Sequence, residues 1–62
     1  MIKHRDLLRW LRQHGCSKVR QGSKHEVWEH DETAARSSVP RHKEIPEGTC
    51  TAICEQLGIP SL

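Results

Sequence analysis

Apolar positions near the N-terminus recur at helical spacing. Leu7, Leu8 and Leu11 fall in one arc, His4 and His14 lie on the same side, and Trp10 sits at its edge. Arg5, Arg9 and Arg12 occupy the opposite face. This pattern predicts a helix over residues 3–14, stopped by Gly15, the residue best able to take a left-handed turn at a helix end. The period then shortens to two. Cys16–Gln21 reads as a strand with Val19 pointing inward, and Gly22-Ser23 as a tight connection or bulge. Residues 24–30 alternate, with His25, Val27 and Glu29 on one face and Glu26, Trp28 and His30 on the other. Each face carries one apolar residue, so alternation alone leaves the buried face open. Residues 30–33 read as a turn, and 34–39 as a third strand ended by Pro40. Three short strands with short links imply an antiparallel meander. Residues 41–44 form a polar loop. Pro46 suits the first turn of a second helix reaching Leu57, with Gly58 as its stop. Thr49, Cys50, Ile53 and Leu57 would face inward, with Cys54 at the edge and Glu47, Thr51 and Glu55 outward. Residues 59–62 are a short tail. The order is helix, three strands, helix, an α+β class.

Composition limits what such a fold can hold. With 62 residues the chain makes one domain, 1–62, and a domain of this size buries only about 60% of its unfolded surface. Apolar residues are 34% of the total, and the aromatics are Trp10 and Trp28 alone, so the core is thin. A cofactor cleft with its own walls does not fit, and no cofactor is expected. Chemistry belongs on an open surface. No apolar run approaches the roughly 18 residues of a membrane span, and no apolar segment of a secretory signal follows the charged N-terminal residues. Three cysteines do not make a paired framework, which fits a reduced cytoplasmic protein.

The net charge of +2 conceals an asymmetry. Residues 1–25 carry seven basic residues against Asp6 alone, while residues 26–62 carry three basic and seven acidic ones. One part of the molecule therefore suits a polyanion, although a charged helix stripe is also how a solvated face reads.

Few residues offer chemistry. Cys50 and Cys54 are four apart on the second helix, but they flank its apolar face, where cysteine packs as a small hydrophobe, and the paired Cys-x2-Cys spacing is absent. No metal site is expected. Cys16 follows the helix stop without an evident His-Asp pair to activate it. His4 and His14 edge the core, His30 lies at a turn, and His42 follows Pro40-Arg41 in a basic loop. His25 differs, because it follows a Gly-Ser turn able to bring a backbone amide close to a phosphate, with Arg20 and Lys24 nearby. Imidazole is well suited to taking a proton from a ribose 2′-hydroxyl. Read from its own surroundings alone, His25 is an ordinary strand-surface histidine, since one imidazole near basic residues is a common pattern.

The order of these motifs resembles the HicA toxins, small ribonuclease-like proteins of bacterial and archaeal toxin–antitoxin systems. "DLLRWLRQHGC" is similar to the family's leading helix ending in Gly. "VRQGSKHEVWEH" is similar to its Gly-Ser-x-His segment with preceding arginine and following aromatic. "VPRHKEIPEGTCTAICEQLGI" is similar to its Val-Pro-x-His segment, Gly-Thr helix start and terminal Leu-Gly-Ile. The resemblance covers nearly the whole chain. It implies a fold like a double-stranded-RNA-binding domain: α-β-β-β-α, a three-stranded antiparallel sheet with two helices on one face. It also implies metal-independent RNA cleavage and neutralisation by a HicB-type antitoxin. The family's catalytic histidine falls on His25. Many members carry a second histidine just before it, where this chain has Lys24. The third strand, "TAARSSV", is poorer in β-branched residues than is usual.

These readings converge on an mRNA interferase. His25 is the expected acid or base, and Arg20, Ser23, Lys24, Arg41, His42 and Lys43 the expected RNA contacts, with Arg5, Arg9, Arg12 and Lys18 adding to the attracting field. The second proton role is left to water, to His42 or to another protomer. A non-catalytic RNA-binding module of the same fold predicts equal binding without product. A protein-interaction domain predicts no affinity for RNA. A short partner gene beside this one favours the toxin.

Overall fold

The computed structural model describes all 62 residues. In chain order the elements are β1 (Ile2–Lys3), α1 (His4–Gln13), β2 (Cys16–Gln21), β3 (His25–His30), β4 (Arg36–Pro40), β5 (Glu44–Ile45) and α2 (Glu47–Leu57). The main sheet is antiparallel in the order β2-β3-β4. The expected α-β-β-β-α order is present. To it are added β1 and β5, a two-residue antiparallel pair that joins the start of α1 to the start of α2.

Burial decides the face that alternation left open. Glu26 and Trp28 point inward, while His25 is exposed and Val27 and Glu29 are only part-covered. The core gathers Leu7 and Leu11 of α1, Trp28 of β3, Val39 of β4, Ile45 of β5 and Cys50, Ile53, Cys54 and Leu57 of α2, closed by Cys16 and Ile59. Both helices therefore lie on one face of the sheet, and the His25 face carries no covering element. Trp10, at the edge as expected, ties α1 to the tail through its indole N–H, which donates to the Pro60 carbonyl at 2.7 Å.

Gly58 closes α2 with φ +73°, in the left-handed region expected of it. Its N–H donates to the Glu55 carbonyl and that of Ile59 to the Cys54 carbonyl, which satisfies two terminal carbonyls and folds Ile59 onto the core.

Several sequence expectations are corrected. The third strand begins at Arg36, because Ala34 takes φ +63° and completes the turn, with its N–H on the His30 carbonyl. Pro46 precedes α2 as its N-cap rather than entering the first turn. Thr49 is exposed, and Cys54 sits in the core rather than at its edge. Ile45, fully buried, lies directly after the segment read as a polar loop.

Val19 is the most consequential correction. It does not point inward; it is 44% exposed. Lys18 pairs with Trp28 and Arg20 with Val27, so Val19 is the extra residue of a β-bulge. Regular pairing would set Val19 opposite Val27 and turn Arg20 to the helix side. The bulge instead brings Arg20 opposite Val27, onto the open face beside His25.

Candidate functional site

The β2–β3 connection is short. The Gly22 N–H donates to the His25 carbonyl at 2.8 Å, leaving Ser23 and Lys24 at the tip. A side chain at position 22 would put its Cβ 3.3 Å from that carbonyl oxygen, tighter than an ordinary contact, so the turn is shaped around glycine. On the other side of β3, His25 pairs with Pro40, and the Arg41 N–H donates to the Lys24 carbonyl at 3.0 Å. His25 thus stands on a strand held from both flanks while its ring stays in solvent.

Arg20, Gly22, Ser23, Lys24, His25 and Val27 line an open hollow of about 370 Å³. Neither Arg20 nor Lys24 has a carboxylate within 4 Å. Two unneutralised cations beside an imidazole form a site for an anion, and the imidazole can exchange a proton with whatever the cations hold.

Of the expected contact residues, the structure brings Arg20, Ser23 and Lys24 together with His25. Arg41 lies behind the turn, where its Nη1 donates to the Gly22 carbonyl at 3.3 Å. His42 and Lys43 belong elsewhere: they line a second hollow, of about 470 Å³, with Lys3, His4, Arg5, Glu26, Arg41 and Glu44. His42 therefore does not line the hollow that holds His25. The arginine stripe of α1 also divides. Arg5 lines the second hollow, Arg9 lines neither, and the Arg12 guanidinium lies 5.3 Å from the Trp28 ring centroid.

Alternation puts Glu26 on the Trp28 face of β3 and assigns it no role. It is 4% exposed. Its Oε1 accepts from the Trp28 indole at 2.8 Å, and its Oε2 lies 3.6 Å from His4 Nε2 and 3.8 Å from Arg41 Nε. A buried carboxylate thus draws on Arg41, which in turn reaches the turn that carries His25. The signal in the sequence was the Glu-x-Trp spacing on one strand face.

The family model described as "HicA toxin of bacterial toxin-antitoxin" matches residues 4–59. The chain belongs to the HicA toxin family. No curated protein and no solved structure matches it. The match runs from the first residue of α1 to Ile59 in the core, so every HicA element except β1 lies within it, as do His25 and all its neighbours. Membership makes this HicA chain the toxin of a toxin–antitoxin pair, with an antitoxin as its partner. No helix is long and apolar enough to cross a membrane.

The three cysteines of this HicA protein are free and buried in the core. Burial pushes all three thiols above the ordinary value; Asp31 adds to the effect at Cys16, and the neighbouring Cys54 adds to it at Cys50. Because the folded values are raised, the thiols contribute stability fully present below the unfolded value of 9.0, and it is lost as pH rises through the folded values. The urea midpoint is therefore expected to fall as pH is raised past about 9. Replacing the cysteines by alanine should remove that part of the fall. A decline that persists unchanged in the Cys-free protein would assign it to other groups.

Proposed function

We propose that this toxin is an endoribonuclease acting on mRNA, with His25 as its acid–base group. One observation supports the reading above others: His25 shares an open hollow with two cations that have no carboxylate partner, on a sheet face that nothing covers. A single-stranded stretch can lay a phosphodiester there in the in-line geometry that a regular duplex resists. His25 takes the proton of the 2′-hydroxyl, whose oxygen attacks the adjacent phosphorus. The bond to the 5′-oxygen breaks, and water entering the open hollow protonates that oxygen. The products are a 2′,3′-cyclic phosphate and a 5′-hydroxyl end. Arg20 and Lys24 offset the added charge on the phosphorus oxygens in the transition state. Ser23, at the tip, offers a hydroxyl and a backbone amide to the same phosphate.

The base and the stabilising cations are all side chains of this chain. Cleavage of RNA by the purified protein is therefore expected to proceed at an unchanged rate in excess EDTA. Activity that stops with the chelator and returns with a divalent ion would overturn the mechanism. The partner is read as a HicB-type antitoxin that covers His25, since obstructing the base needs no change of fold. The whole chain acts as one domain, and its substrate places it in the cytoplasm.

A further inference from the structure

The second hollow lies at the same end of the sheet as the first, on the opposite face. Glu26 and His25 are adjacent in β3 and line one hollow each. Arg41 stands between them, near Glu26 on one side and bonded to the Gly22 carbonyl on the other. Lys3, Arg5, Arg41 and Lys43 bring four cations to its lining, against Glu26 and Glu44, and no apolar side chain takes part. Glu26 is turned to Trp28, His4 and Arg41. Lys3 and Lys43 have no carboxylate within 4 Å, and Arg5 has only the half-buried Asp6 at 3.9 Å.

Two features favour a polyphosphate strand over a protein as the occupant. A protein interface concentrates its energy in buried apolar or aromatic anchors, and this lining offers none. Lys3 and Arg5 also flank the first residue of α1, where the helix dipole favours acidic side chains. Asp6 meets that preference in the same turn, whereas Lys3 and Arg5 run against it, so these two cations add nothing to the stability of the helix start.

We infer that the hollow between the start of α1 and the segment leading into β5 is a subsite for RNA flanking the scissile bond. The strand leaves His25, passes Arg41 at the end of the sheet and sets a flanking phosphate among Lys3, Arg5 and Lys43. This rests on the RNA-cleaving reading above and adds the path of the substrate and the expectation of a minimum length.

The test uses single-stranded RNA oligonucleotides of increasing length, bound to the His25→Ala protein over a range of salt concentrations. Lys3→Gln and Arg5→Gln are introduced together; both side chains are exposed, and removing positive charge from the start of α1 does not oppose its dipole. Beyond a threshold length, the double substitution should lower the slope of log affinity against log salt by about 0.7, the share of the one flanking phosphate contact that it removes. Below that length the slope should not change. Arg9→Gln, on the same helix but outside both hollows, should leave it unchanged at every length. An unchanged slope on long strands, or an equal fall at all lengths, overturns the subsite while leaving cleavage at His25 standing. If the slope is unchanged and the double variant escapes neutralisation by the coexpressed antitoxin, the hollow serves the protein partner instead. RNA that is neither bound nor cleaved by the wild-type protein removes the underlying reading itself.

Discussion

His25→Ala is expected to abolish RNA cleavage and growth inhibition while leaving the fold intact. General acid–base catalysis contributes typically about 10²–10⁴-fold, and His25 is the one imidazole lining its hollow. The fold should survive because the ring is exposed and its anchors are backbone. The carbonyl that accepts from Gly22 and the pairing with Pro40 are both indifferent to the side chain. The measurement joins circular dichroism to a cleavage assay and a growth curve under induced expression. A folded variant that cleaves at the wild-type rate would remove His25 from the mechanism. Slow residual cleavage is compatible with the proposed mechanism, in which Arg20 and Lys24 would still hold and polarise the phosphate.

How much of this could be read before the fold was known depended on whether the signal was local. The helices were legible because Leu7 and Leu11, and Cys50, Ile53 and Leu57, repeat at helical spacing and a glycine follows each run. The exposed turn that carries His25 was legible because the Gly-Ser-x-His segment lies together in the chain. The bulge at Val19 was not, since a β-branched residue in a strand pattern reads as inward, and only pairing with β3 shows it to be the extra residue. That one register shift placed Arg20 beside His25, a neighbour the strand pattern alone did not explain. The division of the basic residues was equally hidden. Arg41, His42 and Lys43 are neighbours in sequence, but the β1–β5 pairing draws the segment containing them toward the start of α1. Long-range pairing of two-residue strands leaves no periodic trace. The burial of Glu26 was hidden as well, because a glutamate in an alternating strand reads as a surface residue until a partner for a buried indole is needed.

Trp28→Ala is expected to unfold the toxin rather than disarm it. Trp28 is 1% exposed and stands at the centre of a core of eleven residues, covered by Arg12 and bonded through its indole N–H to Glu26. Truncating a buried tryptophan costs about 3–5 kcal/mol. At roughly 0.05–0.15 kcal/mol per residue, a domain of this size has only about 3–9 kcal/mol of stability, so most or all of it would be lost. The Glu26 carboxylate would also lose its hydrogen bond at 2.8 Å and keep only the longer approaches of His4 and Arg41. Trp28→Phe separates the two contributions, since it keeps much of the ring volume and deletes the donor. It should fold with a loss of about 1–3 kcal/mol, the cost of leaving a buried polar group unsatisfied. Urea titrations followed by circular dichroism rank the three proteins. Toxicity should disappear in Trp28→Ala together with helical signal, whereas in His25→Ala it disappears with that signal intact. A Trp28→Ala protein that unfolds cooperatively at the wild-type urea midpoint would show that the helices hold the sheet without this ring, and would deny Glu26 and Trp28 their role beneath the strand that carries His25.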